Sequence, residues 1–285
     1  MNSFQPDYNI YFDSSDLEAA LICLSENGYC VIKRMMPYRW VDELKSEIDR
    51  VLDPGQDLPE SSNRYHMMFA EESEVLWRLM DHSPYLNFLR LIHGTESVCL
   101  HRSAAILRSP GESMGNWHKD HRGHIKKPKT ANDILNRLSI PSGCWFYLNG
   151  SHPDRSGIAV IEKSHIIGWD GPEGYRLTQE GSTFCPIEAS SDYPCNSMDV
   201  PGCVAICADP GDLICFAART FHANVATQER RYSCGLGFRP KSDCIDAPWP
   251  LPQTASALAE RLDSRHRSYL DGYTGFDGSW IAETD

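Results

Sequence analysis

Apolar positions recur along this chain at two different periods, and the change between them divides it. Near the amino end, Leu17, Ala20, Leu21 and Leu24 follow Ser14 and Ser15 at the three- and four-residue spacing of one helical face, and Gly28 stops the run. Either serine can cap that helix. The apolar run YCVIKRM then reads as a short strand, and Pro37 opens a second helix whose Trp40, Val41, Leu44, Ile48 and Val51 share a face. Residues 53–75 are polar and read as irregular, and a further helix from about Ser83 to Ile92 ends at Gly94.

From about residue 97 to 240 the texture is different. SVCLHRSAAILRS, RLSIPSGCWFYLN, SGIAVIEKS, CVAICA, DLICFAA and YSCGLGFRP are short β-branched, aromatic and cysteine-rich runs separated by Gly, Pro, Asn and Asp clusters. They predict an antiparallel barrel or sandwich. Residues 166–202 interrupt it with a polar stretch far longer than an ordinary connection, which reads as a lid-like insert. Beyond 241 come one helical stretch, TASALAERLDSRHRSYL, and the turn-rich GYTGFDGSW. No repeat or Ser/Gly linker splits the chain, so 1–285 is expected to be one domain: a helical decoration over 1–96, a core over 97–240 and a tail over 241–285.

Composition narrows the partners. A chain that is 41% hydrophobic can bury a core, which excludes the disordered classes, and its formal net charge of −12 repels phosphate backbones and anionic lipid. Nucleic acid and membrane are therefore not expected partners, and no run of 18 apolar residues occurs. The eleven cysteines include no C-x-x-C pair and lie largely in apolar runs, so they read as free thiols acting as small hydrophobes in a reducing compartment. With no signal-like amino terminus, the expected location is cytoplasmic.

Candidate chemistry lies in histidines near carboxylates. In an extended strand, residues i and i+2 point to one side, so an H-x-D triplet can grip one ion. Two exist, His118-Lys119-Asp120 and His152-Pro153-Asp154. The second sits in a turn composition and reads as a loop tip. The first follows an apolar strand, as a ligand at a barrel mouth would. His222, just after the strand in PGDLICF, is the candidate third ligand, which would complete a two-histidine, one-carboxylate face with positions left open. Arg230 and Arg231 begin the next strand, and an arginine there can hold a carboxylate in a bidentate fork.

In these motifs the chain resembles the phytanoyl-CoA dioxygenase-like (PhyH) family of Fe(II)- and 2-oxoglutarate-dependent oxygenases. LEAALICLSENGYCVIKRMMPYRWVDELKSEIDRVL is similar to the family's opening helix, strand and helix; Trp117 to Asp120 to its W-H-x-D; SGIAVIEKSH to its Gly-apolar-Ser-His pattern; and PGDLICF with His222 and Arg231 to its distal ligand and cosubstrate clamp. The chain departs from the family at Glu162-Lys163, where Pro-Gly is common, and at Asn224, where a Ser is common. Counting back from Phe238 selects Arg231 over Arg230.

The resemblance implies a mainly β fold with flanking α-helices, built on a double-stranded β-helix, a jelly-roll or cupin-like barrel. It implies Fe(II) on His118, Asp120 and His222, and 2-oxoglutarate on Arg231 with Asn116 in reach. His121, Trp117 and Tyr147 are expected to line the substrate. The implied reaction consumes O2, is stimulated by ascorbate, releases succinate and CO2, and hydroxylates, desaturates or cyclises at a C–H bond. A halogenase relative has a small residue where Asp120 stands. The substrate is expected to be a small organic metabolite, a natural-product intermediate or amino-acid derivative, acted on by a monomer or homodimer. The competing readings are a cupin-like divalent-metal hydrolase or isomerase, and a catalytically silent ligand-binding barrel.

Overall fold

The structure is a computed structural model that describes residues 6–120, 127–136, 142–243, 245 and 251–282. Its strands are β1 (Tyr11–Asp13), β2 (Tyr29–Lys33), β3 (Asn63–Met67), β4 (Val98–Arg108), β5 (Ser142–Tyr147), β6 (Ile158–Ile161), β7 (Tyr175–Leu177), β8 (Phe184–Pro186), β9 (Cys203–Ala205), β10 (Leu213–Ala217), β11 (His222–Asn224) and β12 (Arg231–Pro240). The helices are α1 (Leu17–Asn27), α2 (Tyr38–Leu52), α3 (Glu74–Trp77), α4 (Ser83–His93), α5 (Ala131–Leu135), α6 (Gln253–Arg261) and α7 (Ser264–Arg267). None of the described helices is long and apolar enough to cross a membrane.

A major sheet runs β1-β2-β10-β5-β12-β4-β3, and a minor sheet runs β11-β6-β9. The segment leading to His118 extends the minor sheet: His118 and His222 exchange backbone hydrogen bonds of 3.0 and 2.9 Å, and the Gly115 amide donates to the Asn224 carbonyl at 2.9 Å. Strand β6 shows why the minor sheet sits where it does. Its Ile158 and Val160 join the core shared with the major sheet, while Ala159 and Ile161 join a second cluster with Trp117, Phe184 and Phe221. A strand buried on both faces reads as an unbroken apolar run, as IAVI does.

That second cluster is built by the insert. The β7–β8 hairpin, paired from Tyr175–Pro186 to Leu177–Phe184, carries the fully buried Phe184, stacked on Trp117 at 6.1 Å and against Phe221 at 5.5 Å. Residues 166–202 thus pack part of their length on the outer face of the minor sheet. Phe184→Ala is expected to cost about 3–5 kcal/mol, the usual cost of truncating a fully buried phenylalanine, read as a lowered midpoint in denaturant unfolding.

Helices α1, α2 and α4 pack on the major sheet with Leu24, Trp40, Val41, Leu44, Ile48, Tyr85 and Phe88 buried. Helix α1 ends at Gly28 in the left-handed region, φ +90°, where a Cβ would stand 2.6 Å from His165 Nδ1. His165 in turn bonds the Ser25 carbonyl through Nε2 at 2.8 Å, tying α1 to the turn after β6.

Three elements differ from the sequence expectation. Helix α1 starts at Leu17 with Asp16 at its N-cap and no side-chain cap, so neither Ser14 nor Ser15 performs that role. Residues 63–67, read as irregular, form β3, an edge strand whose only partner among the described strands is β4 and whose NRYHM therefore lacks an apolar run. The single helix expected after residue 253 is split, because the Asp263 carboxylate accepts from the Arg265 and His266 amides and starts a new helix.

Candidate active site

The extended backbone at His118 places its side chain and that of Asp120 on the interior side and those of Trp117 and Lys119 on the other. Pairing with β11 brings His222 alongside: the two imidazole centroids lie 4.4 Å apart, and ligand atoms of His118, Asp120 and His222 all fall within 4.8 Å of one another. His118 Nδ1 bonds the Asn116 carbonyl at 2.8 Å and His222 Nδ1 bonds the Thr220 carbonyl at 3.0 Å. A carbonyl can only accept, so each Nδ1 carries the proton and each Nε2 presents a lone pair.

Asp120 places Oδ1 3.9 Å from His118 Nε2, while Oδ2 accepts from Arg102 Nη2 at 3.3 Å. Burial pushes this carboxyl up, but His222, Arg102 and His118 more than offset it and hold it at about 2. Burial, then the neighbouring His118, pushes His222 down to about 4. At neutral pH the set therefore presents an anionic carboxylate beside a neutral buried imidazole, the donor forms that a divalent first-row ion takes.

A cavity of about 180 Å³ opens beside Asp120, walled by Tyr65, Met67, Arg102, Trp145 and Asn136. Arg102 spans it, donating Nη1 to Asn136 Oδ1 at 3.0 Å as well as Nη2 to Asp120. Gly143 makes room at the inner end. A Cβ there would meet the Phe216 ring at 2.4 Å, and that ring lies 4.4 Å from the His222 ring.

Arg231 begins β12 and Arg230 immediately precedes it, and the two side chains turn to opposite sides. Arg230 turns outward to α2, its Nη2 2.7 Å from both Asp49 Oδ1 and the fully buried Asp53 Oδ2. Arg231 turns inward and is 1% exposed. Its Nη1 donates to Asn224 Oδ1 at 2.9 Å and its guanidinium lies over the Tyr147 ring at 5.2 Å. Burial pushes it down to about 10, which leaves it cationic at neutral pH. Nε and Nη2 are buried with no hydrogen-bond partner among the described residues. Two adjacent unpaired donors on one planar group match the two oxygens of a carboxylate.

The remaining expected residues fall in different places. Tyr147 is buried with Arg231 and donates its hydroxyl to Asn224 Oδ1 at 3.0 Å. Trp117 lies away from the cavity, fully buried in the cluster behind the minor sheet with Nε1 donating to the Ser197 carbonyl at 2.8 Å. Asn116 is exposed and contributes its backbone carbonyl to His118. His121 lies outside the described residues. His152 and Asp154 form the turn tip expected of them, partly exposed and 3.9 Å apart. Sequence reading missed Arg102 and Phe216; an arginine in the middle of the largely apolar run VCLHRSAAILR was the available signal for the first.

The phytanoyl-CoA dioxygenase (PhyH) family profile matches residues 24–232, most of the chain. The chain belongs to the phytanoyl-CoA dioxygenase family. No curated protein sequence matches it. Among solved structures it is similar to the non-heme alpha ketoglutarate dependent epimerase SnoN from nogalamycin biosynthesis, in complex with Fe3+, alpha ketoglutarate and nogalamycin RO (TM-score 0.56, 16% identity, 94% of each chain covered). It is also similar to HygX from Streptomyces hygroscopicus with nickel and 2-oxoglutarate bound (TM-score 0.59, 17% identity, 90% of this chain and 95% of that one). A third is the carbocyclase SnoK from nogalamycin biosynthesis (TM-score 0.53, 16% identity, 80% and 86%). At these identities the likeness is one of fold, and it agrees with the mainly β architecture expected of a PhyH chain.

Both departures of this PhyH chain from its family acquire a structural setting. Asn224 supplies the oxygen that receives both Arg231 and Tyr147. Glu162 accepts from the Tyr8 hydroxyl at 2.9 Å, and the Lys163 amide, at φ +57°, donates to the Asn27 carbonyl at 2.9 Å, fixing the turn after β6 against the end of α1.

Proposed function

We propose that this chain is an Fe(II)- and 2-oxoglutarate-dependent dioxygenase that oxidises a C–H bond of a small organic metabolite, a natural-product intermediate or amino-acid derivative, with release of succinate and CO2. One observation carries the reading: a buried arginine with two unpaired donors, Arg231, bonds Asn224, which stands two residues along β11 from His222 of the two-histidine, one-carboxylate face and so shares its side of the strand. His118, Asp120 and His222 would hold the iron. Bound iron supplies oxygen activation coupled to decarboxylation of the cosubstrate.

The chain's own residues do the rest. Arg231 receives the distal carboxylate of 2-oxoglutarate, and the buried Tyr147 ring beside its guanidinium keeps water from that ion pair. The backbone carbonyls of Asn116 and Thr220 keep both imidazoles in the ligating tautomer. Arg102 holds one oxygen of Asp120, leaving the other for the metal. Because Asp120 occupies the position that a halide ligand would need, hydroxylation, desaturation or ring closure is favoured over halogenation. The groups walling the cavity, Tyr65, Met67, Arg102 and Trp145, would decide the product.

Turnover of 2-oxoglutarate with Fe(II), O2 and ascorbate over a panel of small natural-product intermediates and amino-acid derivatives tests this. Succinate is expected, abolished by a chelator and restored by Fe(II). Metal-dependent conversion of a panel compound without succinate would favour instead a cupin-like hydrolase or isomerase in which Arg231 binds the substrate.

A further inference from the structure

The inward face of the major sheet carries a second buried arginine beside the first. In the β4–β12 ladder Arg108 is the direct partner of Arg231, and residues directly opposite on an antiparallel pair project from the same face. Arg108 is 5% exposed. Its Nε donates to Glu112 Oε2 and its Nη2 to the Ser113 carbonyl at 3.2 Å. Its Nη1 is buried with no hydrogen-bond partner among the described residues, as is Ser233 Oγ, two residues along β12 from Arg231 and on the same face.

These groups converge. The loop that Arg108 holds runs beside the residue that Arg231 holds: the Gly115 amide bonds the Asn224 carbonyl at 2.9 Å, and the Thr227 amide bonds the Glu112 carbonyl at 2.8 Å. Both guanidiniums therefore end at the junction of residues 112–115 with β11. Glu112 neutralises one of the two charges, so the pair leaves about one net positive charge for a ligand. Four buried donors, Nε and Nη2 of Arg231, Nη1 of Arg108 and Oγ of Ser233, exceed what one arginine offers a carboxylate, and buried donors without partners are costly unless a ligand takes them.

We infer that Arg108 is a second guanidinium of the cosubstrate carboxylate site, donating through Nη1 beside Arg231, and that this doubled site selects a 2-oxo acid carrying a distal carboxylate. The inference rests on the 2-oxoglutarate reading above. It makes Arg108 a determinant of cosubstrate choice as well as the anchor of the loop that leads to His118.

Calorimetric binding to the Ni(II)-loaded protein, without turnover, tests it with two ligands: 2-oxoglutarate, and 2-oxobutyrate, which keeps the chelating end and lacks the distal carboxylate. Arg108→Met is expected to weaken 2-oxoglutarate by roughly 10-fold or more, the size of one hydrogen bond to a charged group, beyond any smaller, common weakening of 2-oxobutyrate that loosening the loop to His118 causes. Equal weakening of both ligands, or of neither, would overturn the assignment and leave Arg108 as a loop anchor alone. If Arg108→Met does not fold, Arg108→Lys, which keeps the charge but lacks the Nη1 donor, is read by the same two ligands and the same criterion. Wild-type protein that does not prefer 2-oxoglutarate to 2-oxobutyrate would instead overturn the 2-oxoglutarate reading, and this inference with it.

Discussion

Arg231→Leu is expected to abolish measurable 2-oxoglutarate binding while making the ligand-free protein more stable. The two effects have one cause. Arg231 is a cation taken out of water with Nε and Nη2 unpaired, and such a group opposes folding until a carboxylate arrives. Truncating one partner of a buried, hydrogen-bonded charge pair costs about 2–5 kcal/mol of binding, or roughly 30-fold to several-thousand-fold in affinity. Replacing a buried charge by an apolar side chain of similar volume is commonly neutral or stabilising by about 1–4 kcal/mol. Thermal unfolding with and without 2-oxoglutarate would show both: a higher melting temperature for the variant alone, and loss of the shift that ligand gives the wild type. Arg230→Leu is the control. It breaks the pairs with Asp49 and Asp53 and lowers stability, and 2-oxoglutarate binding persists.

Asp120→Ala is expected to reduce metal affinity and succinate formation beyond the roughly 10–100-fold that loss of an outer partner of a metal ligand costs, because it removes a donor atom itself. Arg102→Leu supplies the comparison. Arg102 touches Asp120 Oδ2 and steers the carboxylate, so its loss falls within that 10–100-fold window. Metal content after dialysis and 2-oxoglutarate turnover, measured on both variants, would separate the two roles by size.

Spacing is what made the metal triplet legible in the sequence. A one-residue gap in an extended strand puts His118 and Asp120 on one side whatever the surrounding fold, so the pair could be read directly. The same alternation sends Trp117 to the opposite side, where it packs on Phe184; its expected place beside the substrate was at odds with the rule that identified its neighbours. Alternation also says that only one of Arg230 and Arg231 faces inward, and the outward one is fixed by Asp49 of α2 and by Asp53 just past its end.

Other features depended on pairs distant in sequence. Arg102 and Asp120 meet because β4 and the segment after His118 converge, and no local pattern announces it. The partnership of Arg108 with Arg231 exists only through the β4–β12 register. Strand β3 was hidden because an edge strand needs little apolar character. The β7–β8 hairpin of the insert is anchored by Phe184, one buried aromatic in a polar stretch.

On the function proposed above, His118, Asp120, His222 and Arg231 form one site for iron and 2-oxoglutarate. Its most direct measurement is the succinate released when oxygen is admitted to Fe(II)-loaded protein holding 2-oxoglutarate. Wild-type protein is expected to release succinate, and Asp120→Ala and Arg231→Leu are expected to release none. Iron bound at the triad with 2-oxoglutarate neither retained nor converted would contradict that function.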